Sequence, residues 1–225
     1  MKKVLTCFAV AMLFVLTNCS QEPNDVVARV EGQTITSSEL TYWMLLEKAN
    51  TFNYFYQKYK VVDSKSFWTQ KFGNETPLAR LRRVALNKAV RCKIQQILAL
   101  DKGIIESANF NKIMQELDGV NAERKSAVSN QEPVYGLVRF TKRTYFSHVL
   151  DKMIVQLKNK LAENELKPDA KTMRELKSKH PHPSENLSGF ITMQYVDQVY
   201  EQYVDAMARK AKVEINSGVF TRVSL

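Results

Sequence analysis

Two short segments of alternating side chains, at residues 26–36 and 212–216, bracket a chain interior in which apolar residues recur at every third or fourth position. Strands this short do not persist alone, so the two ends are expected to pair and to close the helices between them into one unit. That closure dictates the expected fold: mainly α, a multi-helix module with a small β pairing of N- and C-terminal strands. Within the first segment, residues 26–30 read as a strand, Glu31-Gly32 as a two-residue hairpin turn, and residues 33–36 as the return strand. Thr36, followed three positions later by Glu39, is the signature of a capping box. It opens a helix to about Lys60 whose inward stripe is Tyr42, Leu45, Leu46, Ala49, Phe52, Tyr56 and Tyr59.

Thr76-Pro77 starts the next helix, with proline at its first position. Leu78, Leu81, Ala85, Ala89 and Cys92 form one stripe on it, and Leu86, Val90, Ile94 and Ile97 a second. Two apolar sides predict a central, buried helix, which Gly103 ends. Ser107 is expected to cap a third helix to about Val128, and Thr141 a fourth to about Asn164, with Phe146, Leu150, Met153, Leu157 and Leu161 inward. A polar helix from about Asp169 to Lys179 precedes a break at His180-Pro181-His182-Pro183. The last helix is predicted from about Met193 to Arg209, with Val196, Val199, Tyr203 and Met207 facing in.

Ahead of this module, Met1-Lys2-Lys3 is a basic start, and residues 4–16 carry no charge. That run of about 13 residues is short of the roughly 20 needed to cross a bilayer and fits the apolar part of a signal peptide. It ends in Leu16-Thr17-Asn18-Cys19, which resembles a lipobox, with Asn18 where Gly, Ala or Ser is usual. The resemblance implies a signal peptide at 1–18, a lipid on the Cys19 thiol, a tether at 19–25 and the working module at 26–225. The expected location is the extracytoplasmic face of a membrane: the plasma membrane, or the outer membrane of a diderm host. Cys7 would leave with the signal and Cys19 would carry lipid. Cys92 alone would remain, so the mature chain would have no internal disulfide.

The formal charge of +10 falls to +8 without Lys2 and Lys3. Outside a membrane that excess fits anionic head groups, envelope polymers or acidic unfolded chains better than nucleic acid. The cations are spread along every predicted helix and read as solvated faces.

The phrase Val27-Ala28-Arg29-Val30-Glu31-Gly32-Gln33-Thr34-Ile35-Thr36-Ser37-Ser38-Glu39-Leu40 resembles the opening of the SurA/PrsA-type extracytoplasmic foldases, with Glu31 where Asn is common. Ala211-Lys212-Val213-Glu214-Ile215-Asn216 resembles the closing strand of the same family. Residues 117–125, Glu132-Pro133-Val134-Tyr135-Gly136 and Glu165-Leu166-Lys167 are similar to its middle. The resemblance touches most of the chain after the signal and implies a helical chaperone whose terminal segments associate. Many members insert a parvulin prolyl isomerase of about 90 residues with a Gly-Gly segment. Residues 104–193 hold only Gly119, Gly136 and Gly189 and keep helical periodicity, and Ser147-His148-Val149-Leu150 reads as helix rather than as a parvulin strand.

Ten of the chain's 22 aromatic residues fall in the 31 positions from 42 to 72, more than one helical face can absorb. Trp43, Phe52, Tyr54, Phe55, Tyr56, Tyr59, Phe67 and Trp68 are therefore the candidate peptide-binding residues, rings offering large area at low entropic cost. The expected function is a membrane-tethered chaperone holding unfolded or exported polypeptides, with no catalytic residue, cofactor, metal or small-molecule substrate. The alternatives are a prolyl isomerase-like protein with residual activity and a scaffold subunit of an envelope complex. His180 and His182, each followed by proline, read as a solvated turn, and Cys92 as a core thiol.

Overall fold

The computed structural model describes residues 24–62, 64–179 and 187–225. The signal peptide, Cys19 with most of its tether, and the two histidines at 180 and 182 lie outside them. Glu31 and Gly32 take φ of 47° and 81°, the paired positive values that a type I′ hairpin needs. They join β1 (Val26–Val30) to β2 (Gln33–Thr36). β3 (Val213–Ile215) adds to the other side of β1, Val30 opposite Val213 and Ala28 opposite Ile215, giving an antiparallel sheet of order β2-β1-β3. The two ends of the chain thus meet as expected. Glu31 also ties the two ends together: its Oε1 accepts from Lys212 N at 2.6 Å, just where β3 begins.

Eight helices complete the described residues: α1 (Ser37–Tyr59), α2 (Pro77–Asp101), α3 (Phe110–Gln115), α4 (Leu117–Ser129), α5 (Lys142–Ala162), α6 (Ala170–Ser178), α7 (Leu187–Lys210) and α8 (Ser217–Phe220). The fold is mainly α with one small sheet. Local chemistry sets most of the boundaries. Thr36, Thr76, Thr141 and Asp169 each accept a hydrogen bond from the backbone three residues on, satisfying a donor the first turn leaves free. The box at Thr36 is only half made, because the Glu39 side chain turns inward instead of returning to the cap. Thr141 and Thr144 complete theirs.

α2 runs through the middle, packed against α1, α5, α7 and the sheet. One core lies on the sheet side, with Val27, Ile35, Leu40, Met44, Leu81, Ala85, Leu157, Leu161, Val196, Tyr200 and Val204. The second gathers Tyr42, Cys92, Ala99, Phe110, Ile113, Phe140, Phe146, Leu150 and Met153. The predicted two-sided burial of this helix is what the structure has.

Four sequence expectations change. Tyr42 is buried as expected, but the other buried side chains of α1 include Leu40, Met44, Thr51 and Phe55, while Leu45, Ala49, Tyr56 and Tyr59 are exposed. The single helix expected from Ser107 is two: Asn109 caps α3, and a tight Glu116 N to Ile113 O bond closes it before α4. α7 already includes Leu187, ahead of the expected start at about Met193, and Tyr200 and Val204 are buried there while Met207 is exposed. Finally, the chain does not end its structural role at β3. Val219 and Val223 are core residues, and Arg82 Nε donates to Val223 O at 2.6 Å.

Candidate functional site

The side of α1 that α2 leaves uncovered forms a cleft with α3 and the start of α5. Its floor and walls are Tyr42, Leu45, Leu46, Phe110 and Met114, and its volume is about 590 Å³. Leu45 is 58% exposed, so the apolar lining reaches open solvent. Thr141, Lys142, Arg143, Ser37, Ser38 and Asn111 supply a polar, cationic rim. The floor is rigid: Tyr42 packs edge-on against Phe146 at 4.9 Å and meets Phe110 at 5.7 Å, and its hydroxyl donates to Arg143 O. Burial raises the Tyr42 phenol above its usual range. Met114 adds an adaptable wall, since an unbranched thioether conforms to varied shapes. The cleft has the size and apolar character of a ligand site with few fixed polar groups.

None of the eight predicted aromatic residues lines this cleft. Phe55 and Phe67, expected among the rings offered to a client, are fully buried. They are the centre of a satellite core that pins the α1–α2 connection onto α1: Phe52 meets Phe67 at 5.1 Å, and Phe55 meets Phe72 at 5.6 Å. Tyr54 is half-buried beneath the Arg80 guanidinium, 3.4 Å from the ring centre. Trp68 is half-buried with Lys48 over its face, and Trp43 bridges the two main cores. Only Tyr56 and Tyr59 stand substantially in water, at 47% and 36%. The surplus of rings thus went into holding a long connection down, a demand that the pattern of α1 alone does not reveal.

Cys92 is buried, and desolvation, with Glu39 nearby, pushes its thiol far above the usual range, which makes it a core side chain. Ser147 and His148 lie within α5, with the His148 ring stacked on Phe140 at 5.0 Å. Among the described residues no group of His, Cys, Asp and Glu could hold a metal ion, and no helix is long and apolar enough to cross a membrane.

Compared with family models, curated proteins and solved structures, the chain matches none of them.

Phe110, Met114, Lys142 and Arg143 were not singled out as a site from the sequence. They come from α3 and α5, and only the packing of those helices on α1 brings them together. Leu45 and Leu46 did carry a signal, as apolar residues of α1, but periodicity assigned them to the core.

Proposed function

We propose that the protein is a chaperone tethered by lipid on Cys19 to the extracytoplasmic face of a membrane, where it holds unfolded or exported polypeptides in the α1–α3–α5 cleft. The observation that carries this reading is the open apolar lining of Tyr42, Leu45, Leu46, Phe110 and Met114. A solvent-reaching apolar surface of this kind is an interaction site. Its rim cations, Lys142 and Arg143, suit the carbonyls and acidic side chains of an extended client. The resemblance to SurA/PrsA-type foldases adds support, since it implies association of the terminal strands, and β1 and β3 pair. Binding of any one segment is weak and broad, because adaptable apolar contacts discriminate little. The tether compensates by raising the local concentration where clients emerge. The reading includes no covalent chemistry and no cofactor.

The test is suppression of aggregation of a chemically unfolded client by wild type, Leu45→Glu with Met114→Glu, and Trp68→Ser. The cleft variant is expected to lose suppression while keeping the wild-type melting transition, and Trp68→Ser to retain suppression. Undiminished suppression by the folded cleft variant removes the cleft from the function. A protease-coupled assay on a proline peptide tests the isomerase alternative, and clear turnover replaces the chaperone reading. Capture of one stoichiometric partner, rather than many unfolded chains, replaces it with a scaffold.

A further inference from the structure

The connection between α4 and α5 is held by side chains of α4. Asn121 grips the Phe140 peptide twice, Nδ2 donating to Phe140 O at 2.9 Å and Oδ1 accepting from Phe140 N at 2.8 Å. Arg124 donates from Nε to Leu137 O at 2.7 Å and from Nη2 to Tyr135 O at 2.6 Å, with its guanidinium 4.9 Å from the centre of the Phe140 ring. Gly136 turns the chain between these two carbonyls with φ of 81°. The loop fixed in this way displays Tyr135, Leu137 and Val138 to water, 89%, 51% and 54% exposed. Leaving such side chains in water forgoes the gain of burying them, so a pinned loop that does it three times in four residues is a surface awaiting cover.

The charge around it indicates what covers it. Arg124, Lys125, Arg139, Lys142 and Arg143 surround or flank the loop, and among the described residues none of the five makes an ion pair. Residues 133–150 contain no Asp or Glu; the acids beside this stretch are Glu132 and Asp151 at its two ends, Glu123 next to Arg124, and Glu116, which accepts from the Tyr145 hydroxyl at 3.2 Å. Aromatic and aliphatic tips within a ring of cations match the two layers of an anionic bilayer surface, apolar below and phosphate above. The N-terminal end of the described chain lies at the same end of the molecule. Asn111 donates to Asn24, and Asn111 shares the rim of the cleft with Lys142 and Arg143. Cys19 is five residues before Asn24, a reach of at most about 18 Å.

We infer that residues 134–140, with Arg124 and Lys125, form a docking surface for an anionic lipid bilayer, adjoining the client cleft at the rim of Thr141, Lys142 and Arg143, that seats the protein with the α3 and α5 N-terminal ends toward the membrane. The orientation rests on lipid attachment at Cys19; the affinity of the loop for anionic lipid does not.

The test uses the full protein, extracted from membranes and reconstituted into vesicles of brominated phosphatidylcholine alone or mixed with phosphatidylglycerol. Tyr135→Trp reports on the loop and Val155→Trp, about 20 Å along α5, reports on water; Trp43 and Trp68 supply the wild-type background. The expected result is quenching of Tyr135→Trp in phosphatidylglycerol-containing vesicles only, reversed by high salt, with Val155→Trp unquenched in both. Arg139→Gln is expected to weaken the anionic dependence about fivefold, with client suppression unchanged. Equal emission of Tyr135→Trp in both vesicle types overturns the inference. So does shielding of Tyr135→Trp by added unfolded client or by self-association without lipid. Protein that fails to float with neutral vesicles overturns attachment at Cys19 instead. Phosphatidylglycerol vesicles added to that same protein then still decide the loop.

Discussion

Lys93 of α2 and Glu39 of α1 form an ion pair with both side chains fully buried, Nζ to Oε2 at 3.1 Å. Lys93 also donates to Ala108 O at 2.7 Å, whereas Glu39 Oε1 has no hydrogen-bond partner among the described residues. Burial raises the Glu39 carboxyl from 4.5 to about 7, against the opposing pull of Lys93. The folded state therefore binds this proton more tightly than the unfolded chain. The resulting stability is fully present below about pH 4.5 and is lost as the pH climbs to about 7. Urea unfolding across that window should show wild type losing about 3 kcal/mol relative to Glu39→Gln. Parallel stability curves for the two proteins would contradict it.

Removing one partner differs from removing both. Lys93→Ala strands a buried carboxyl and the Ala108 carbonyl and should cost about 3–5 kcal/mol. Glu39→Leu with Lys93→Met replaces the pair by apolar volume and should recover most of that loss. A double variant no more stable than the single one, by denaturant midpoint, would show that the pair is worth more than its packing substitute.

Neighbouring rings on α1 should behave oppositely. Phe55 is fully buried among Tyr59, Phe67 and Phe72, so Phe55→Ser should cost about 3–5 kcal/mol. Tyr56, 47% exposed, should tolerate Ser within about 0.5 kcal/mol. Thermal melts of the two variants check the assignment, and similar losses would refute it.

The residues after β3 should prove structural. Deleting residues 219–225 exposes the pocket of Val219 and Val223 and leaves Arg82 without its carbonyl. A loss of at least about 3 kcal/mol is expected, with Arg82→Ala recovering none of it. A truncated chain as stable as the full one would show the tail to be dispensable.

Gly73 sits at φ of 64°, and a methyl group there would come within 2.7 Å of the Tyr59 hydroxyl. Gly73→Ala is therefore expected to destabilise by about 1 kcal/mol or more, through backbone strain with Tyr59 displaced. Hydrogen exchange should show the loosening in the α1–α2 connection, with the sheet-side core unchanged.

Much of the fold was legible before the structure because its signals act over a few residues. The turn at Glu31-Gly32 and the caps Thr36, Thr76, Thr141 and Asp169 need only their own neighbours, and each stands where the sequence put it. Helix faces were harder. A stripe drawn through Leu45, Phe52, Tyr56 and Tyr59 has good periodicity, but a ring-rich helix has more than one such stripe. The choice fell to the partner helix and to the Phe67–Phe72 segment lying over Phe55.

The sequence by itself determined the hairpin turn and most of the helix caps, that two terminal strands needed each other, and that α2 would be buried on two sides. Those follow from hydrogen bonds and periodicities spanning a handful of positions. Only the tertiary structure decided that Glu39 would abandon its cap for Lys93, 54 positions away, and that Val219 and Val223 would enter the core. It alone opened the cleft beside Leu45 and set Tyr135 outward on a clamped loop. Each of these depends on which surfaces are covered, and burial is a property of the whole packing that no local pattern records.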